Sequence, residues 1–181
     1  MSEALIKSLL LVVNTVFSVY IMIIMLRFLL QWVKADFYNP ACQFLMKLTN
    51  PLLIPLRRII PGFFGLDCAA IVLMIILQSL ALLANMLILG YPLSALIIVA
   101  AIIKLVQLLI NVFFFAILIR VVLSWVSPHN YHPMTTLVNQ LTDPLLMPAR
   151  RIIRPVSGFD FSPLVVMLTL QVVSYFVGAL I

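Results

Sequence analysis

Four long apolar segments restrict what this chain can fold into. They cover residues 9–33, 69–89, 96–126 and 163–181. A helix of roughly 20 apolar residues crosses the hydrocarbon core of a bilayer, and it bonds its own backbone polar groups there. Of all residues, 65% are hydrophobic and 9% are charged, whereas soluble domains carry about 25% charged residues. The sequence therefore predicts an all-α membrane protein with four transmembrane helices.

The connections between these segments are of two kinds. Gly90-Tyr91-Pro92 separates the second and third segments, and this turn signal predicts that those two helices are antiparallel neighbours. The other two connections are much longer, at about 34 residues each. The first apolar segment shows no short core followed by a cleavage site, so we expect it to be retained as a transmembrane helix.

The sequence is duplicated with an offset of 93 residues. Residues 27–33 align with 120–126, and residues 48–60 align with 141–153, without a gap. Roughly 22 of the 52 aligned positions from Arg27 onwards are identical, including Arg, Trp, Pro, Asp and Gln, which shared hydrophobicity does not explain. We predict two repeats, residues 1–92 and 93–181. Since each has two spans, the repeats are parallel and related by an axis along the membrane normal.

Basic residues concentrate in the two long connections. They are Lys34, Lys47, Arg57, Arg58, Arg150, Arg151 and Arg154, with Arg27 and Arg120 near the edges. The opposite side carries Lys7 and Lys104. Because loops rich in Lys and Arg stay on the cytoplasmic side, we predict cytoplasmic long connections and both termini outside.

The most distinctive motif begins at Asn50-Pro51 and recurs at Asp143-Pro144. Asn or Asp followed by Pro is a typical helix start, since the side chain caps free N–H groups. On a helical wheel one face is made of leucine and isoleucine, and the paired arginines lie on the other. We predict that a short amphipathic helix starts at each of these positions and lies on the cytoplasmic membrane surface.

Three interpretations of the paired arginines stay open. Arg57, Arg58, Arg150 and Arg151 could bind a lipid headgroup or phosphate, because Arg holds phosphate with two parallel hydrogen bonds. They could instead only anchor the connection at the interface, which is the simpler interpretation and the one we favour. A re-entrant segment is disfavoured by two charges per motif. Anionic lipid headgroups are the expected partners.

Two pairs of polar residues fall inside the predicted spans. Arg27 and Arg120 lie near the cytoplasmic ends, and a charge at this depth has either a structural ion-pair partner or a role in permeation or regulation. Gln78 and Gln171 lie near the midplane, where we expect them to face each other. Hydrogen bonding between helices is the favoured interpretation, and a polar constriction for an ion is the alternative.

Asp67 and Asp160 precede the second and fourth spans. Capping of the helix start is the favoured interpretation, because a carboxylate complements the helix dipole, and pairing with an arginine of the same repeat is the alternative. His129 and His132 are interpreted as loop histidines, since two ligands alone are weak evidence for a metal site.

Other functional classes find little support. The sequence has no catalytic constellation and no Gly-rich phosphate loop, so we expect neither an enzyme nor a bound cofactor or metal. Cys42 and Cys68 lack metal-ligand spacing. Nucleic-acid binding is disfavoured because no exposed domain carries the basic residues.

These duplicated motifs resemble those of the YggT family, and the resemblance covers essentially the whole chain. The first copy comprises Arg27, Trp32, residues 36–40, residues 51–61, Gly65 and Asp67, and the second covers residues 120–160. The second copy departs from the pattern where Arg154 and Pro155 replace Pro61 and Gly62. The resemblance implies a polytopic protein of the bacterial inner membrane that is linked with salt or osmotic tolerance and cation homeostasis. Related YlmG-type proteins are linked with cell division, nucleoid distribution and assembly of membrane cytochromes.

Two functional hypotheses follow. If the chain is a cation-transport protein, we expect one water-accessible path lined by Arg27, Arg120, Gln78 and Gln171. Four spans make a small bundle, so a pore would require a homo-oligomer. A non-transporting scaffold or assembly factor predicts a closed bundle that binds anionic lipid or an unidentified protein partner through its arginine-bearing helices.

Overall fold

The computed structural model describes residues 3–63, 65–92, 94–126, 132–153 and 160–180. Within them the chain forms six α-helices: α1 (Glu3–Trp32), α2 (Pro40–Ile59), α3 (Cys68–Leu89), α4 (Ile97–Val126), α5 (Pro133–Ile152) and α6 (Ser162–Gly178). The β-type pairing of the described chain is an isolated bridge between Phe63 and Leu66. The predicted all-α class is therefore confirmed.

Three of these helices, α1, α3 and α4, are long and apolar enough to cross a membrane. They match the first three predicted spans closely. The fourth predicted span corresponds to α6, which is apolar but has only 17 residues. Arg154 and Gly158 belong to the motif of the second repeat and lie outside the described residues.

The apolar helices stand in the row α1–α3–α4–α6. Helix α3 packs against both α1 and α4, and α4 packs against both α3 and α6. The turn after α3 is made by Gly90, whose φ of 71° is left-handed and suits the residue that ends a helix. The main core lies among α1, α3 and α4, and Leu53 of α2 and Leu141 of α5 reach into it.

Helices α2 and α5 show that the predicted helix starts at Asn50 and Asp143 are wrong. Both helices begin earlier, at Pro40 and Pro133. Asn39 caps α2, because its side chain accepts a hydrogen bond of 3.0 Å from the Ala41 N–H. The same combination of a capping side chain and a first-turn proline thus occurs twice in this part of the sequence, and the earlier copy starts the helix.

Prolines inside α2 are tolerated because the helix is held by packing. Pro51 and Pro55 each remove one backbone hydrogen bond, and both are exposed. On the opposite side of the helix Leu53 is fully buried. A helix supported by such burial withstands local bonds that an isolated helix could not lose.

The N-terminal ends of α2 and α5 meet. The Asn39 amide donates a 2.9 Å hydrogen bond to the Pro133 carbonyl, and a small apolar cluster of Leu30, Ala35, Cys42 and Leu137 lies beneath this contact. The two amphipathic helices are therefore joined directly to each other at one end of the bundle.

Candidate functional site

The first arginine of the α2 pair is tied to the start of α3. The Arg57 Nε atom donates to Asp67 Oδ2 at 3.2 Å, and Arg57 Nη2 donates to the same oxygen. The other carboxylate oxygen, Asp67 Oδ1, accepts from the Ala70 N–H at 3.3 Å. Asp67 therefore caps α3 and pairs with Arg57 at once, the two roles that the sequence offered as alternatives.

A small cavity lies beside this ion pair. It measures about 350 Å³, and its wall includes Gln31, Arg57, Gly65 and Asp67. Gln31 Oε1 accepts a 3.2 Å hydrogen bond from Arg57 Nη2, so the guanidinium is held from two sides. Because the Asp67 carboxylate also lines it, the charge of Arg57 at this cavity is already neutralised.

The second repeat has the same pair in a more open setting. Arg150 Nε donates to Asp160 Oδ2 at 2.8 Å, and Asp160 Oδ1 accepts from the Ser162 N–H at 2.9 Å. Burial favours the neutral carboxyl, but the hydrogen bond from Ser162 and the charge of Arg150 outweigh it and hold the pKa of Asp160 below its ordinary value.

The lowered pKa predicts an acid-dependent contribution to stability. The ionised Asp160 stabilises the fold fully above its ordinary pKa of 3.8, and this contribution disappears as the pH falls through the lower folded-state pKa. Asp160→Asn should therefore be less stable than the wild type at pH 7, by under about 1 kcal/mol because the pair is partly exposed. The difference should disappear as the pH falls through the lower folded-state pKa of Asp160. Thermal unfolding in detergent at pH 7 and at a series of pH values below 3.8 measures it, and a difference independent of pH contradicts the expectation.

The second arginine of each pair has a different environment. Arg58 and Arg151 are exposed at the C-terminal ends of α2 and α5. Neither has a hydrogen-bond or ion-pair partner in the part of the chain that the structure describes. One arginine of each pair thus fixes the helix end, and its neighbour presents an exposed guanidinium.

Arg27 and Arg120 hold the amphipathic helices against the spans. Arg27 Nη1, which is buried, donates to Thr49 Oγ1 of α2. Arg120 Nη1 donates to Thr142 Oγ1 of α5 at 2.6 Å and to Asp143 Oδ1 at 2.7 Å. The charge beside the two arginines differs, because Asn50 stands where the second repeat has Asp143.

Gln78 and Gln171 do not face each other. Gln78 is half-buried on α3 and Gln171 is exposed on α6, and α4 packs between these two helices. Gln171 instead lines an open groove between α4 and α6, together with Gln107. The two glutamines and the arginines Arg27 and Arg120 therefore lie at separate places in the structure.

Some predicted positions have other roles or lie outside the described chain. His132 Nδ1 accepts a 3.3 Å hydrogen bond from the Met134 N–H and so caps α5. His129 lies outside the described residues. No group of three or more His, Cys, Asp or Glu side chains comes together within the described ranges.

Sequence reasoning missed Thr49 and Thr142, the residues that bind Arg27 and Arg120. Each hydroxyl also donates to a backbone carbonyl of its own helix, at 2.7 Å, which turns its lone pairs toward the arginine. The signal was present, because the two threonines align under the 93-residue offset. It was overlooked because Thr is common in helices without any such role.

The comparisons with known proteins agree with one another. The model of the CCB3/YggT family matches the chain twice, at residues 6–88 and 99–181. An uncharacterised protein of Pseudomonas aeruginosa is 44% identical, over 92% of this chain and 86% of its own length. The protein named YggT of Escherichia coli K12, also uncharacterised, is 36% identical, over 89% of this chain and 84% of its own length. No solved structure matches the chain.

Proposed function

The chain belongs to the CCB3/YggT family, and from this premise we propose that it is a non-enzymatic membrane scaffold that holds anionic lipid headgroups at the ends of α2 and α5. One observation carries the proposal. In both repeats the first arginine of the pair is fixed by an aspartate, and the second is exposed without a partner among the described residues.

The proposed architecture has four spans in two parallel repeats, with α6 as the fourth. The double match of the family model supports the two repeats. At 1.5 Å per residue α6 is about 26 Å long, which is close to the hydrocarbon thickness of about 30 Å, and a short span is accommodated by local thinning of the bilayer. The repeated contacts of Arg57 with Asp67 and of Arg150 with Asp160 support the same arrangement.

In this arrangement α2 and α5 lie on the cytoplasmic side of a bacterial inner membrane. The concentration of Lys and Arg in the two long connections supports the orientation, and relatives in Pseudomonas, Vibrio and Escherichia support the bacterial membrane. Exposed Leu52 and Ile59 of α2 then enter the interface, and Arg58 meets the phosphate layer. We place the physiological role in salt or osmotic tolerance, as the family resemblance implies.

Cation transport, the other hypothesis, finds less support. It requires Arg27, Arg120, Gln78 and Gln171 on one path, whereas the two arginines are bound to α2 and α5 and Gln171 is exposed on α6. Cation flux in liposomes that depended on Gln78 and Gln171 would overturn the scaffold proposal in favour of transport.

The test replaces only the second arginine of each pair. Arg58→Gln/Arg151→Gln should lower the association constant of a spin-labelled phosphatidylglycerol in nanodiscs by about 25-fold or more per site, at least twice on a logarithmic scale the generic effect of about 1 kcal/mol per basic residue. Arginine at a fixed helix end should exceed this generic charge effect because it binds phosphate with two hydrogen bonds.

The matched control removes the same number of positive charges, both from the first of the two connections. Lys34 and Lys47 are exposed and lie outside the paired motif. Lys34→Gln/Lys47→Gln should change the association constant less than half as much on a logarithmic scale. An equal loss in both double variants would reduce the effect to nonspecific attraction and remove the proposed headgroup site.

A further inference from the structure

The four apolar helices have unequal surroundings, although the sequence repeats. Helix α3 has two transmembrane neighbours, α1 and α4. Its counterpart α6 packs extensively only against α4 and α5, and among the described helices nothing occupies the place beside α6 that α4 occupies beside α3. The row α1–α3–α4–α6 therefore has one open side at α6 and another at α1.

The open side of α1 is visible in the exposure of matched residues. Leu105 and Val112 of α4 are each 8% exposed. Their counterparts on α1 under the 93-residue offset are Val12, which is 55% exposed, and Val19, which is 46% exposed. These residues lie on one face of their helices, since they are seven positions apart. The face that α4 buries within the chain is thus left uncovered on α1.

The same holds for α6 and α3. One face of α6 consists of Leu164, Leu168, Gln171 and Tyr175, all exposed. The matching face of α3 consists of Ile71, Ile75, Gln78 and Leu82, all half-buried. Ile71 and Ile75 pack against the main core. This face of α3 is covered by α4 and its neighbours. The matching face of α6 is covered by none of the described helices.

Gln171 makes this open face unfavourable in a lipid environment. It lies nine residues after Ser162, so it is about 14 Å into the span and near the bilayer midplane. The Gln171 amide makes no hydrogen bond among the described residues, and no water is at hand at that depth of a bilayer. A groove of about 490 Å³, lined by Gln107, Gln171, Ser174, Tyr175, Gly178 and Ala179, surrounds it.

We propose that a second copy of this chain covers the face, with α1 of one copy packed on α6 of the other as α4 packs on α3 within the chain. The inference rests on the four-span, two-repeat arrangement proposed above. Counting equal rises from the end of α3 at Leu89 and the start of α4 at Ile97, Gln78 lies level with Leu108, and Ile75 lies level with Asn111, the neighbour of the buried Val112. Transferred to the second copy by the 93-residue offset, Gln171 meets Thr15, and Leu168 lies level with Ser18, next to Val19 on the uncovered face.

The chemistry of the two faces is complementary. Thr15 is exposed on α1, and its hydroxyl can both donate to and accept from the Gln171 amide. Ser8 lies on the same face, beside an apolar groove of about 380 Å³ that it shares with Leu5, Leu9 and Val12. Each copy offers one α1 face and one α6 face, so two copies satisfy each other and close a ring of four two-helix units.

Cysteine cross-linking between two copies tests the pairing. In a background with Cys42 and Cys68 replaced by alanine, Val19→Cys and Leu168→Cys are placed in separately tagged full-length chains that are expressed together. Oxidation in the native membrane should join the two tags by a disulfide. A disulfide between differently tagged chains can form only between copies.

The control pair uses residues of α1 and α6 outside the proposed interface. Their counterparts under the 93-residue offset, on α4 and α3, are exposed. Met22 of α1 corresponds to Phe115, and Val173 of α6 corresponds to Leu80, and all four are exposed. Met22→Cys with Val173→Cys should give at least 5-fold less cross-linked product. Equal yields for the two pairs, or no product from Val19→Cys with Leu168→Cys, overturn the proposal.

A second measurement removes only the amide. Gln171→Leu should weaken self-association in proteoliposomes, followed by energy transfer between labelled copies, by about 3-fold, because one hydrogen bond between transmembrane helices contributes little more. Thr169→Leu, a similar change on the face whose α3 counterpart Ile76 is exposed, should have no effect. Equal self-association of the wild type and Gln171→Leu contradicts the assigned interface.

One further experiment distinguishes failure of the second-copy interface from failure of the four-span arrangement on which it rests. Leu180→Cys in the same background should react with a membrane-impermeant maleimide from the outer side if α6 spans the bilayer. Labelling without the expected cross-link overturns the second-copy interface and leaves the four-span arrangement standing. No labelling from outside overturns both. The lipid association measured with Arg58→Gln/Arg151→Gln is independent of either result.

Discussion

Asp67→Asn should lower the free energy of unfolding by about 2 kcal/mol, the largest effect expected for a single charge removed from this chain. The side chain of Asp67 is 5% exposed, and its carboxylate receives two donors from Arg57 while it caps α3. Asparagine keeps an oxygen for the cap but loses the charge-assisted bonds, each of which is stronger than a neutral one. Because Arg57 is 36% exposed, water relieves part of the loss, and the cost stays below that of breaking a fully buried pair.

The second repeat provides the control for this experiment. Asp160→Asn is the same chemical change at the matching position, but the Asp160 side chain is 32% exposed and that of Arg150 is 42% exposed. Exposed ion pairs contribute under about 1 kcal/mol. Denaturation in mixed micelles, with Arg57→Gln completing a double-mutant cycle, measures both variants. Equal losses at Asp67 and Asp160 would mean that burial does not set the strength of these pairs.

The helices of this fold could be predicted from the sequence because apolar length is a strong signal. The bounds of α3 and α4 match the expected spans within about one residue. The start of α2 could not be predicted, because Asn39-Pro40 and Asn50-Pro51 carry the same local signal. Only packing distinguishes them, since burial of Leu53 carries the helix through Pro51 and Pro55.

The candidate site was predictable as a set of residues but not as a set of contacts. The duplication identified Arg27, Arg57 and Asp67 with their counterparts, because charged residues repeated in an apolar sequence are conspicuous. The duplication could not show which of these side chains form hydrogen bonds with one another. That Arg57 binds Asp67 while Arg58 is exposed follows from the direction of each side chain on α2, and adjacent residues on a helix point about 100° apart.

The expected meeting of Gln78 and Gln171 shows a second limit. Sequence repetition places matching residues at the same depth, but it does not state which helices are neighbours. In the structure α4 packs between α3 and α6, so equivalent positions face different surroundings. The same asymmetry leaves Gln171 exposed where Gln78 is half-buried.

Replacing the intramembrane arginines Arg27 and Arg120 should change the free energy of unfolding by different amounts. Arg120→Met should destabilise the fold by about 1 kcal/mol, because it leaves the Asp143 carboxylate without its ion-pair partner at 2.7 Å, and water relieves part of the cost since that side chain is 31% exposed. Arg27→Met should be close to neutral. Arg27 bonds to the neutral Thr49, and Met fills a similar volume without a charge to desolvate, an exchange that is often neutral or stabilising.

The rescue experiment separates the charge from the packing. Adding Asp143→Asn to Arg120→Met removes the stranded carboxylate and should restore at least half of the lost free energy of unfolding, because the remaining groups are neutral as they are around Arg27. The reverse change, Asn50→Asp, should stabilise the first repeat by giving the buried Arg27 the carboxylate that Arg120 already has. Denaturation of the four variants in the same micelles measures the set. If Arg27→Met and Arg120→Met cost the same, or if Asp143→Asn restores nothing, both arginines act through packing alone, and the difference between Asn50 and Asp143 has no energetic consequence.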